Sequence, residues 1–316
     1  NDPYRGTPYL LIDTMNRNDI YDREFFTLRG DISTPIFEML YWGFSADMNV
    51  GLASQDRDPR PRNKVMNLAL SQGLLLSTKY VNIGVNGLYT YFNEDIEVDI
   101  IQQNINQAFF QVLGFDNHTY HIASSFNRLY IRNTYGGEGQ LNVKLGRLNT
   151  LFGGKYLSIK ETADDGRKAG NASWSYMKND SKLEGEEIAF YNVSTFSHGK
   201  IIHSLNTSYI LRYLVGAEFL QRLEQVGDAG AVDWVDYGAE EKYKSSIYDL
   251  SAEYSFLLKK FGYSRNVELK LGVNYFGSEH AYFLPDMDDS YQDRILTASL
   301  SKSFYLGRHE FGLGVG

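Results

Sequence analysis

Six histidines, clustered carboxylates and no cysteine are what this 316-residue sequence offers for chemistry. The histidines are His118, His121, His198, His203, His280 and His309. A hydrolytic site would need one of them beside a nucleophilic hydroxyl and oriented by a third polar group. No serine stands in a nucleophile elbow, and no acid–histidine spacing marks a protease. His198 and His309 fall in expected tight turns, and His280 adjoins a long link. His203 alternates with Ile201 and Leu205, as an interfacial side chain would. The sequence therefore predicts no catalytic residue.

Metal and cofactor chemistry is thinly represented. Asp286, Asp288 and Asp289 place three carboxylates within a short stretch, the kind of oxygen cluster that hard cations bind. The calcium-loop spacing is missing, so a solvated acidic loop is the expectation. Asp164-Asp165-Gly166 and Asn93-Glu94-Asp95 read the same way. His118 and His121 are spaced for chelation but lack a third ligand nearby. Without cysteine there is no thiolate zinc site, no disulfide scaffold and no thiol nucleophile. No cofactor and no metal are expected.

Two stretches are candidates for contact rather than catalysis. The first is the link Asp56–Lys64, where Arg57, Arg60, Arg62 and Lys64 outnumber Asp56 and Asp58 by 4 − 2 = +2. Pro59 and Pro61 stiffen it, and its cations could meet headgroup phosphates or an acidic partner. Pairing with Asp56 and Asp58 is the plainer alternative. The second is the link Gly216–Ser245, which carries Val232, Trp234, Val235 and Tyr237. Trp234, Val235 and Tyr237 could anchor a partner protein, or fold back over the mouth of the scaffold.

The elements that must position these groups are strands. Aromatic residues make up 15%, with Tyr 24 and Phe 19 against Trp 3, and Pro is only 6. A period of two recurs along the chain. Trp42, Phe44, Ala46, Met48, Val50 and Leu52 alternate with Gly43, Ser45, Asp47, Asn49 and Gly51. Similar alternation runs through Val65–Ser77, Val81–Asn93, Ile201–Val215, Tyr248–Leu258, Val267–Tyr275 and Leu296–Leu306. Weaker strands are expected over Glu24–Asp31, Ile122–Tyr135, Gln140–Phe152 and Glu187–Phe196. The chain reads as all-β.

Connections alternate in length. Thr78–Tyr80, Gly136–Gly139, Ser197–Lys200 and Gly307–His309 read as tight turns. Ser54–Lys64, Glu94–Gln107, Glu161–Glu186, Gly216–Ser245 and Glu279–Asp293 read as long polar loops. Short turns at one end and long loops at the other describe a transmembrane antiparallel β-barrel built as a meander, with about 12 strands visible. Aromatic residues crowding the strand ends suit its interfacial girdles. No apolar run approaches the roughly 18 residues of a membrane-spanning helix.

Trp42, Phe44, Met48, Val50, Leu52, Leu68, Leu70, Ile83, Tyr254, Phe256, Leu269, Leu271, Leu296 and Leu300 should then face lipid. Asp47, Asn49, Asn82, Asn86, Asn142, Lys144, Asn206, Arg212, Asp249, Glu253, Glu268, Lys270 and Asn274 should line the lumen. The sequence reads as one barrel domain over residues 1–316, cut in mid-alternation at Phe311–Gly316, so that the intact barrel would hold more strands. Net charge is 31 − 39 = −8, which gives nucleic acid no basic field to bind.

Gly30-Asp31-Ile32-Ser33, the strand Gly43–Gly51, the loop Arg57-Asp58-Pro59-Arg60-Pro61-Arg62-Asn63 and the strand Leu68–Leu76 resemble a poorly characterised family of Bacteroidota-type outer-membrane β-barrels. The resemblance is clearest over residues 24–93. Members are typically encoded near TonB-dependent receptors and surface lipoproteins, so the resemblance implies an outer-membrane role in uptake or assembly. It carries over no catalytic or binding residue.

The leading expectation is a non-enzymatic outer-membrane barrel, either an accessory subunit of a surface transport or assembly complex or a channel. Its partners would be outer-membrane lipid, lipopolysaccharide and receptor or lipoprotein subunits, with no nucleic acid. A barrel hydrolase acting on lipid or peptide is one alternative. A soluble secreted glycan-binding β protein is the other.

Overall fold

The computed structural model describes residues 10–13, 22–54, 60–99, 107–114, 117–123, 125–167, 175–176, 181–226, 231–259, 266–283, 286–306 and 309–315. Every regular element among them is a strand. In chain order these are β1 (Leu10–Asp13), β2 (Asp22–Phe37), β3 (Leu40–Ser54), β4 (Arg60–Ser77), β5 (Val81–Asp99), β6 (Gln107–Gly114), β7 (Asn117–Ala123) and β8 (Ser125–Leu145). Then come β9 (Leu148–Arg167), β10 (Ser175–Tyr176), β11 (Ser181–His198), β12 (Ile201–Val226), β13 (Ala231–Leu258), β14 (Asn266–Phe283), β15 (Asp286–Leu306) and β16 (His309–Val315). No described helix is long and apolar enough to cross a membrane, which says nothing about crossing by strands.

Twelve strands form one antiparallel meander in the order β2-β3-β4-β5-β8-β9-β11-β12-β13-β14-β15-β16, with β10 pairing off β9. A small sheet, β1-β6-β7, lies off this path. The expected all-β antiparallel architecture holds.

The register assigns every side chain to one of two faces, because directly opposed residues in an antiparallel ladder point the same way. One face carries Phe44, Leu70, Tyr89, Tyr135, Phe152, Phe190, Tyr209, Leu250, Leu271 and Leu296. The other carries Asp47, Asn86, Gln140, Glu187, Arg212, Asp249 and Asn274. All fourteen residues expected to face lipid fall on the first face, and all thirteen expected in the lumen fall on the second.

Exposure distinguishes the two sides. The apolar face is bare, with Leu296 82% and Phe190 57% exposed, whereas Glu94 and Tyr130 on the polar face are fully buried. The polar face is therefore the concave, crowded side. Its most enclosed part lies toward the β4–β5, β8–β9 and β13–β14 ends remote from the short turns. Val65, Ile96, Val98, Leu183 and Tyr243 are buried there beside Asn63, Arg128 and Glu161.

Several connections differ from their sequence reading. Gly136–Gly139 is no turn but the middle of β8, paired on both sides. The chain reverses instead at Gly146, whose φ of 58° suits a residue without Cβ. Gly136 has its own reason to be glycine. A Cβ there would stand 2.2 Å from the Tyr156 carbonyl oxygen. Thr78–Tyr80 and Ser197–Lys200 do turn, the latter through Gly199 at φ 59°.

The long links are mostly strand. Gly216–Ser245 is a hairpin extension in which β12 and β13 stay paired out to Val226 and Ala231. Register shifts at Gly216/Ala217 and Leu220/Gln221 re-aim it. Glu279–Asp293 likewise belongs to the β14–β15 ladder. Polar alternation on both faces removes the amphipathic signal beyond the apolar belt, while backbone pairing simply continues.

Candidate functional site

The convex face is built as a belt. On β4, Met66, Leu68, Leu70, Leu74 and Leu76 mark about 11 residues, the span with which a tilted strand crosses a hydrocarbon layer. Tyrosines rim it on the side away from the short turns. Tyr89 and Tyr135 pack with ring centroids 5.2 Å apart, and Tyr248 and Tyr275 with centroids 5.8 Å apart. Toward the turns, Trp42 stacks on Phe44 at 6.5 Å, and His203 sits among Phe196, Tyr254 and Phe256. An amphipathic ring with an apolar body and a polar tip suits an interface.

Beyond the tyrosine rim the convex face turns ionic. Arg60, Arg62 and Lys64 lie opposite Asp99, Glu97 and Asp95 across β4 and β5. Lys64 Nζ is 3.0 Å from Glu97 Oε1 and 3.9 Å from Asp95. These carboxylates come from β5, so residues 60–64 of the stretch read as a loop begin a strand; Asp56 and Asp58 lie outside the described residues. Burial holds the Asp95 carboxyl above its ordinary range; Glu97 adds to this and Lys64 opposes it. Arg57 lies outside the described residues.

The concave face carries a ladder of polar contacts. Asn49 bridges Thr27 and Asp47 at 2.7 Å each. Glu138 accepts from Gln140 at 2.8 Å and from the Tyr191 hydroxyl at 2.5 Å. Arg132 Nε donates to Glu161 at 2.7 Å, and Lys155 Nζ lies 2.8 Å from Glu187. Ser208 and Ser251 face one another at 2.7 Å. Opposite charges are interleaved around the curl, so this side is ion-paired and not a single-sign funnel.

Sequence-marked groups are otherwise scattered. Among the described histidine side chains, His198 contacts Arg147, His203 bonds Tyr254 at 2.6 Å, and His280 bonds Tyr243 at 2.9 Å. None of these contacts is a serine–histidine–carboxylate arrangement. The backbone of His118 and His121 lies in β7, and their side chains fall outside the described set. Asp288 and Asp289 belong to β15, where alternation sends them to opposite faces, so the three-carboxylate loop does not form. Trp234 pairs in register with Leu223, its side chain outside the described set; Val235 is half-buried, and Tyr237 is exposed with its hydroxyl on Glu224.

The profile of a family of unknown function, DUF6850, matches residues 1–316. The chain belongs to that family. No curated protein matches this DUF6850 member. Among solved structures it is similar to the copper transporter OprC, at 10% identity and a TM-score of 0.49, covering 92% of this chain and 53% of that one. The siderophore receptor PiuA from Acinetobacter baumannii matches at 13% identity and a TM-score of 0.49, covering 93% and 46%. The ferric-catecholate import receptor Fiu from K12 E. coli matches at 10% identity and a TM-score of 0.45, covering 94% and 49%. The DUF6850 chain thus spans about half the length of these structures.

Proposed function

We propose that this protein is a non-enzymatic outer-membrane β-barrel serving as an accessory subunit of a surface transport or assembly complex. One observation carries the membrane reading: a twelve-stranded meander exposes an apolar, tyrosine-rimmed convex face and turns its ion-paired polar side chains inward. In water, an exposed apolar surface of this extent is an aggregation liability; against lipid it is the solvated side. Outer-membrane lipid and lipopolysaccharide are the partners of that face.

The accessory role rests on the β12–β13 hairpin, which extends well past the tyrosine rim and carries Trp234, Val235 and Tyr237 near its tip. Such residues are preferred anchors at protein interfaces. A mild-detergent pull-down read by mass spectrometry, wild type against Trp234→Ala, tests this. Receptor or lipoprotein subunits that co-purify with the wild type and vanish with the variant support the complex. A lone barrel with unitary conductance in planar bilayers makes it a channel instead. Recovery without detergent would remove the membrane reading altogether.

A further inference from the structure

Alternate connections of the meander lie at one end, and four of them carry a cation: Lys79 between β4 and β5, Arg147 between β8 and β9, Lys200 between β11 and β12, and Lys259 after β13. Lys144 lies close by, near the end of β8. Backbone bonds tie these segments side by side. Lys144 N–H donates to the Tyr80 carbonyl at 2.7 Å, Ser197 N–H to the Arg147 carbonyl at 2.9 Å, and Lys259 N–H to the Lys200 carbonyl at 2.7 Å. The five cations therefore follow one another around the end of the sheet, and all are exposed.

Their surroundings hold no counter-charge. The described residues of these four connections include no carboxylate, and among the described residues none ion-pairs with Lys79, Lys144, Arg147 or Lys259. Lys79 lies over the Tyr80 ring at 5.2 Å, and Arg147 contacts His198. The opposite rim is built differently: Lys64 is 3.0 Å from Glu97, and Lys244 is 2.9 Å from Glu241. In a chain of net charge −8, the short-turn end is thus locally basic. Like charges on neighbouring segments repel, so an anionic partner stabilises this end.

We propose that Lys79, Lys144, Arg147, Lys200 and Lys259 form a basic collar that docks on the anionic phospholipid headgroups of the leaflet at the short-turn end. The apolar belt decides the partner. Exposed Tyr80, Leu145 and Leu148 adjoin the cations in sequence, and Lys79 follows the belt residue Leu76 by three positions, at most about 10 Å. A headgroup layer about 5–8 Å thick borders the hydrocarbon there, within reach of a lysine or arginine stem. Phosphate oxygens accept charge-assisted bonds from both cation types.

The collar rests on the membrane reading, and one experiment separates them. The purified protein is inserted into phosphatidylcholine vesicles carrying a trace of spin-labelled phosphatidylglycerol or spin-labelled phosphatidylcholine. The motionally restricted part of the spectrum reports lipid held at the protein surface. One headgroup-level cation favours an anionic lipid about fivefold, so selectivity averaged over both leaflets should be about threefold for phosphatidylglycerol. It should fall as added salt screens the collar. Replacing all five cations by glutamine should bring it to about one, whereas Arg62→Gln/Lys64→Gln at the opposite rim should leave it unchanged. Heat-modifiable gel migration confirms that each variant is folded. Equal retention of the two lipids by the wild type, insensitivity of the preference to salt, or a preference that survives in the five-fold variant would each overturn the collar alone. Protein that does not float with the vesicles would overturn the membrane reading along with it.

Discussion

Arg212 of β12 and Glu187 of β11 face one another across the ladder, and the guanidinium Nε donates to the carboxylate at 3.0 Å. Lys155 of β9 reaches the same carboxylate from the opposite side. Glu187 is 6% exposed at its side chain, while Arg212 and Lys155 keep 43% and 32%. Breaking a fully buried pair costs about 3–5 kcal/mol, and two partly solvated cations reduce this, so Glu187→Gln should cost about 2 kcal/mol. Urea unfolding in detergent measures it. Partial recovery in Glu187→Gln/Arg212→Met is expected, since that variant removes one of the two uncompensated cations and leaves Lys155.

The convex belt predicts a different sensitivity. Leu271 is 46% exposed and lies between Leu269 and Val273 on β14. If that surface meets lipid near its midplane, Leu271→Arg costs about 2–4 kcal/mol. An arginine at Asn274, on the concave side, should cost far less. Equal effects at the two positions in a refolding titration would contradict the assignment of faces.

Two glycines three residues apart should respond oppositely. A methyl at Gly136 would strike the Tyr156 carbonyl and Leu157 Cδ2, at 2.2 and 2.5 Å, whereas Gly139 has nothing within 4 Å of its ideal Cβ. Gly136→Ala should destabilise by about 1–3 kcal/mol through overpacking against backbone. Gly139→Ala should be neutral or slightly stabilising, because alanine loses less chain entropy. Thermal unfolding monitored by gel migration compares them.

Alkaline titration gives a signature for Tyr282, whose ring packs on that of Tyr243 with centroids 5.1 Å apart. Tyr282 titrates near 12 in the folded protein against an ordinary value near 10. A raised folded pKa means that this group contributes stability in full below about 10 and loses it as pH rises toward 12. Phenolate absorbance should show a late-titrating fraction that shrinks by one tyrosine in Tyr282→Phe. Simple coincidence of all tyrosines near 10 would remove the perturbation.

The alternation of Trp42–Leu52, Val81–Tyr91 and Val267–Tyr275 was sufficient, in the sequence alone, for the fold class and for the two faces. A strand buried or lipid-facing on one side must repeat with period two, and that repeat is local. Strand ends and turns were less legible. Gly136–Gly139 looks like a turn because glycine allows one, yet the stretch is mid-strand, and Gly136 is required by close cross-strand packing against Tyr156 and Leu157 of the next strand. The ion pairs of Lys64 with Glu97 and Asp95, and the placing of Arg60 and Arg62 opposite Asp99 and Glu97, needed the β4–β5 register. The meeting of Tyr243 with His280 and Tyr282 needed the β13–β14 register. Period two assigns a residue to a face but not to a neighbour, and only the ladder's register decides which side chains touch.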